Sequence, residues 1–298
     1  ADLGRGYNAY WGIQGEEGHA WCAMATSSWI AFALGLPKNP KRGDWKSHPF
    51  GDWLGGVAQV EAWAKRENRW HPQWSKVGEY EDDKGFKYSQ ILLISVPHVE
   101  IKKYQDMCKA AGLSLQSLEV ESVSLTRMLI GTDPTPTYII DIGSRSTGIS
   151  IADKGALMFS SQTDFAGASL TQALATSLSI NPLRAEELKK ERGILGTGPN
   201  YELSTIMIPF LDAIISEVKR ADFSYHTQFP AAPKIERAIL TGGGANLLGI
   251  QKYFEGELNI PVVKAAPFLK FEYPSLLTPL VAELNPLFAT ALGLTLRN

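Results

Sequence analysis

Tryptophan divides this chain more sharply than any other residue. All eight tryptophans (Trp11, Trp21, Trp29, Trp45, Trp53, Trp63, Trp70 and Trp74) fall in the first 74 residues of 298, and the other 224 contain none. A single compact domain rarely partitions a residue type this way, so the chain is predicted to hold two unlike segments. Length agrees, because 298 residues suit about two domains at roughly 100–200 residues each. After Trp74, residues 79–87 (EYEDDKGFK) offer little to bury and read as a linker or exposed loop. The segments are therefore set at 1–77 and 78–298.

With 44% hydrophobic and 20% charged residues the chain can bury sizeable cores, which excludes wholesale disorder. Residues 1–77 carry nine Lys/Arg against seven Asp/Glu, and the remainder 20 against 24. No basic field exists to concentrate nucleic acid, so no nucleic-acid partner is expected. Two cysteines, Cys22 and Cys108, make no disulfide framework and fit a reducing compartment. Apolar stretches such as 91–96 fall short of the roughly 20 residues that span a bilayer. No basic region with an apolar run opens the chain, so nothing reads as a secretory signal, and without an initiator Met the chain is expected to be trimmed or a fragment.

The second segment alternates strand and helix patterns, which predicts an α/β architecture. Strands are expected at 91–96, 115–120, 138–142, 147–152, 237–240 and 260–263. Helices are expected at 99–111 (stopped by Gly112), 122–129, 169–178, 182–192, 203–227, 247–258 and 286–296. Asn181 as N-cap with Pro182 behind it is a strong start signal. Pro209 either kinks the long helix or marks its true beginning.

Two glycine-rich turns carry the chemical signal. In Asp141-Ile142-Gly143-Ser144-Arg145-Ser146-Thr147-Gly148, glycine lets the backbone approach a phosphate and the N–H and hydroxyl groups can cradle it. Asp141 at a strand end can hold Mg²⁺ through water. An ordinary hairpin turn has the same letters. In Thr241-Gly242-Gly243-Gly244-Ala245-Asn246, a strand meets a helix N-terminus, which presents free N–H groups to an anion or polar ring. A tight connection is the plain alternative. The pattern is neither a Walker loop nor the dinucleotide fingerprint.

Read in order, the segments 91–97, 110–113, 118–122, 139–144, 165–171, 185–190, 239–245 and 291–294 resemble the PilM/FtsA group of actin-like proteins, and most closely the PilM family of type IV pilus assembly. The resemblance implies an α/β, actin-like (ribonuclease-H-like) half with part of a small inserted subdomain. A Trp-rich, mainly helical, incomplete α+β segment precedes it. It also implies ATP with Mg as a ligand, bound weakly or not at all. Its contacts would be Asp141, Gly143, Ser144, Ser146 and Thr147 in the second phosphate loop, Gly167, Glu186 and Lys189 beside the ribose and base, and Gly242, Gly243, Gly244 and Ala245 in the adenosine motif. Without the resemblance, Glu186 and Lys189 read as a solvated helix face with an i,i+4 pair from Glu186 to Lys190.

Such folds clamp nucleotide between two halves, and no strand-borne Asp-x-Gly loop is found in 1–77, where Asp2-Leu3-Gly4 has only the letters. Phosphoryl transfer needs donors and metal on both sides, so hydrolysis is not expected. The resemblance further implies docking of the cytoplasmic tail of a PilN-like membrane protein. The setting would be the pilus assembly platform, at the cytoplasmic face of the inner membrane.

In the first segment, Trp21-Cys22-Ala23 opens a helical pattern at 20–34, and Val60-Glu61-Ala62-Trp63 lies in a second one at 57–68, which Trp70-His71-Pro72 follows. A cysteine in a helix's first turn can become a nucleophilic thiolate, although a Cys among Trp, Ala and Met is also ordinary core. These residues resemble the opening of CHAP-type peptidoglycan amidases and endolysins, with Cys22 as nucleophile. The Gly-His-Val-type strand carrying that family's general base is absent from this sequence. A peptidoglycan-cleaving cysteine amidase is thus the alternative function, and a join of unrelated segments is a third reading.

Overall fold

The computed structural model describes residues 73–81, 87–94, 96, 98–194 and 201–297. The predictions for Cys22, for the helices at 20–34 and 57–68 and for an amidase-like segment lie outside the described residues. The chain forms two compact units, Ala1–Leu118 and Glu119–Asn298.

In the first unit, β1 (Gln73–Glu81) and β2 (Lys87–Ile94) pair antiparallel. Residues 79–81 and 87 of the predicted linker are therefore strand. The register sets Glu81 opposite Lys87 and Tyr80 opposite Tyr88. Helix α1 (His98–Ala110) follows, and none of its residues is buried. It ends as expected at Gly112, with the Leu113 N–H donating to the Cys108 carbonyl at 2.8 Å. Residues 115–120 carry no regular secondary structure and join no ladder among the described residues, so that predicted strand is corrected.

The second unit opens with α2 (Glu121–Leu129) and is built on a five-stranded sheet. Its strands are β3 (Thr137–Ile142), β4 (Thr147–Asp153), β5 (Ala156–Thr163), β6 (Arg237–Thr241) and β7 (Val262–Lys264), in the order β5-β4-β3-β6-β7. Strands β3, β6 and β7 run parallel, and β4 and β5 form antiparallel hairpins. Strand β5 is absent from the sequence-based expectation. Its Ser160 and Gln162 are exposed on an edge strand, and the only local signal is the Lys154-Gly155 turn, both residues at positive φ.

The sheet is covered on both faces, which is why β3 reads as a nearly continuous apolar run. Tyr138, Ile140 and Ile142 face one core with Ala238, Leu240, Ile149 and Ile151, and Ile139 and Ile239 face the other. The larger core takes α3 (Gly167–Ser177), α4 (Pro182–Arg192) and α5 (Tyr201–Gln228). Helix α5 buries Met207, Leu211, Ile214, Ile215, Val218, Ala221 and Tyr225 at helical spacing and continues through Pro209. Asn181 caps α4 as predicted, its side chain accepting from the Arg184 N–H at 2.8 Å.

Two predicted helix starts are corrected. Gly243–Asn246 is one turn of 3₁₀ helix, and α6 (Ile250–Leu258) begins only beyond Gly249. The terminal helix α7 (Val281–Thr295) starts upstream of Pro286, which lies inside it. It packs on α2, where Ser124 Oγ donates to the Thr290 carbonyl at 2.7 Å. The span Ser275–Thr295 is long and apolar enough by composition to cross a membrane, with mean hydropathy 1.3, which corrects the expectation that every apolar stretch is too short.

Candidate functional site

Strands β3 and β6 run parallel and end side by side, with Asp141 opposite Thr241. Beyond them lie the two glycine turns. In open α/β sheets, ligands collect at the carboxyl ends of parallel strands.

The first turn joins β3 to β4 and is pinned to the start of α3. The Gly143 N–H donates to the Ser146 carbonyl at 3.0 Å, the Gly167 N–H to the Gly143 carbonyl at 3.0 Å, and the Ala168 N–H to the Ser144 carbonyl at 2.8 Å. The N–H groups of Ser144 and Arg145 have no backbone acceptor among the described residues, and both residues are exposed. Thr147 is fully buried instead, its hydroxyl donating to the Phe165 carbonyl at 2.7 Å.

Gly167 permits the close contact between α3 and the turn. A Cβ there would stand 3.2 Å from the Gly143 carbonyl oxygen and 3.6 Å from Lys189 Nζ. Lys189, on α4, donates to the Gly167 carbonyl at 3.0 Å and to Thr171 Oγ1 at 2.8 Å, and pairs with Glu186 at 2.7 Å. Thr171 in turn donates to Glu186. Burial raises the Glu186 carboxyl, but the hydrogen bonds from Lys189 and Thr171 outweigh it and hold the group below its ordinary pKa. The sequence expectation of an i,i+4 pair with Lys190 holds only loosely, at 3.6 Å.

The second turn folds over Asp141. Gly242 sits at φ +79, and its N–H donates to the Pro286 carbonyl at 2.9 Å. Asp141 is half-buried, and its side-chain carboxylate accepts no hydrogen bond from the described residues. Burial first, then the negative charge of Glu121, pushes its carboxyl up to about 6. Glu121, the first residue of α2, was not singled out as a site residue. It meets Asp141 only through tertiary folding, and no spacing in the sequence marks the pair. Gly243 is exposed, whereas Ala245 is wholly buried in the larger core.

The structure thus brings Asp141, Gly143, Ser144, Gly167, Glu186, Lys189 and Gly242–Gly244 to one end of the sheet, with Thr147 and Ala245 turned inward. A half-buried carboxylate without a donor, beside a second acid, suits a hydrated Mg²⁺, which takes only one or two protein carboxylates. The exposed turn amides suit phosphate oxygens. The residues present therefore fit a Mg–nucleotide.

A five-stranded mixed sheet covered on both faces, with glycine turns at the ends of its parallel strands, is shared with the actin-like fold of the following structures. The chain is similar to a PilM–PilN type IV pilus biogenesis complex (TM-score 0.64, 20% identity, covering 84% of this chain and 74% of that one). It is also similar to MreB5 of Spiroplasma citri bound to AMPPNP (TM-score 0.50, 18% identity, 67% of this chain and 64% of that one). The ADP-bound form of MreB5 gives a TM-score of 0.51 at 18% identity over 67% and 65%. Residues 77–298 match the model of the type IV pilus assembly protein PilM, and the chain belongs to that family.

Proposed function

We propose that this chain is a scaffold of the pilus assembly platform that docks the cytoplasmic tail of a PilN-like membrane protein at the cytoplasmic face of the inner membrane. Membership of the PilM family, with the likeness to a PilM–PilN complex, carries this reading. Other platform proteins would bind beside that tail. Pulldown of the full chain with an immobilised PilN-tail peptide tests it: retention supports the reading, and no retention at high micromolar peptide counts against it.

The glycine-turn end takes ATP with Mg weakly, as a structural ligand. Asp141 and the amides of Ser144 and Arg145 hold one side of the phosphates, with Asp141 reaching Mg through water. Glu186 and Lys189 border the ribose. Tight binding and turnover need donors on the other side as well. Support comes from the half-buried, unpartnered carboxylate of Asp141. A fluorescent ATP analogue titrated with and without Mg tests it, and affinity indifferent to Asp141→Asn contradicts it.

A further inference from the structure

At the end of the sheet opposite the glycine turns, the parallel strands begin rather than end. There α5 passes over Tyr138, near the start of β3, and over Ile235 and Ile260, just ahead of β6 and β7, leaving an open cavity of about 430 Å³. Its apolar lining is Val218 and Ile235, both buried, with Leu258 and Ile260 half-buried at the wall. Two lysines stand at the cavity, Lys219 on α5 and Lys234 on the approach to β6, and both are exposed.

The acid in the cavity is already engaged. Asp222 accepts from the Tyr138 hydroxyl at 2.5 Å and faces His226 Nδ1 at 3.2 Å. Burial first, and Asp222 next, raise the Tyr138 hydroxyl, so it remains a proton donor to that carboxylate. Lys234 has no acidic partner among the described residues, and Lys219 has only Glu257, at 4.0 Å, between two exposed side chains. On the same helix Phe223, one residue from Asp222, is 73% exposed. An exposed aromatic, an apolar floor and two weakly engaged ammonium groups together make a surface for an apolar side chain flanked by carboxylates.

We propose that this cavity docks an acidic peptide segment of a protein partner, seating one aliphatic or aromatic side chain on Leu258 and Ile260, over the edge of Ile235, and pairing its carboxylates with Lys219 and Lys234. The site is separate from the glycine-turn end and independent of nucleotide. The test is selection of a random phage-displayed peptide library on the full chain, followed by fluorescence polarisation with the enriched peptides. Enriched sequences should carry Asp or Glu around Leu, Ile or Phe. Their affinity should fall about tenfold or more in the Lys219→Glu/Lys234→Glu variant and weaken in high salt. Both lysines are exposed, so the variant should melt like the parent. The proposal is overturned by absence of enrichment, by peptides without carboxylates, or by binding that survives the charge reversal. It is equally overturned if the same substitutions abolish binding to phosphatidylglycerol vesicles while no peptide is enriched, which would make the cavity a lipid contact.

Discussion

Gly242 is in such close contact with Asp141 that a Cβ on it would stand 2.5 Å from the carboxylate Oδ1, and 2.5 Å from the Ile142 carbonyl oxygen. Two strand ends are involved, because Asp141 and Thr241 are parallel partners and Gly242 follows directly. The second turn is thereby a roof over the end of the first strand, and it holds the acid in a half-buried position with no donor of its own.

Gly242→Ala should be destabilising out of proportion to one methyl group. The position combines φ +79 with a backbone clash, so a loss of about 1–3 kcal/mol is expected in chemical denaturation. Gly256, with nothing within 4 Å of its added Cβ, is the control and should tolerate Ala.

Asp141→Asn should stabilise the chain without nucleotide, and only at higher pH. The folded-state pKa is raised from 3.8 to about 6, so the folded state holds the proton more tightly than the unfolded one. The benefit is full below about pH 3.8 and is lost as pH rises through about 6, a change of at most about 3 kcal/mol. Melting curves of variant and parent should coincide near pH 4, apart from the cost of the substitution itself, and separate in the variant's favour near pH 8. Added Mg²⁺ should raise the parent's melting temperature and leave the variant's unchanged.

What could be read from the sequence follows the range of each signal. The β3–β4 hairpin, α4 with its Asn181 cap, and α5 are marked by neighbouring residues, and the structure matches them closely. The β1–β2 hairpin was hidden because its ends fall in the charged run 79–87, and pairing with a neighbouring strand leaves no mark in local sequence. Facing of Glu121 and Asp141, and the cavity between Tyr138, α5 and Ile260, arise from elements brought together by the sheet. Ala245 shows the opposite limit: the right motif placed it at the site, while packing turned its side chain into the core.

Arg127 and Glu119 should be strongly coupled. Arg127 forks onto both Glu119 oxygens and donates to the Gly293 carbonyl at 2.9 Å, and the Glu119 side chain is only 8% exposed. Arg127→Met leaves a nearly buried carboxylate unpaired and should cost about 2–3 kcal/mol. Adding Glu119→Gln should recover at least about 1 kcal/mol of that in a double-mutant cycle. Strictly additive effects would contradict the pairing.

Thr171→Val should loosen the contact between α3 and α4, because one hydroxyl serves both Glu186 and Lys189. A stability loss of about 1 kcal/mol is expected, with Thr171→Ser close to the parent. If Glu186 and Lys189 border a ribose, affinity for a fluorescent ATP analogue should fall severalfold in the valine variant and recover in the serine variant.

Calorimetric titration of the full chain with a peptide of a PilN cytoplasmic tail decides whether this PilM-family chain is a docking scaffold. Saturable one-to-one binding with a dissociation constant of about 1–100 μM, unaffected by Asp141→Asn, is the expected result. No detectable heat or displacement at about 1 mM peptide, in protein that melts cooperatively, would contradict it.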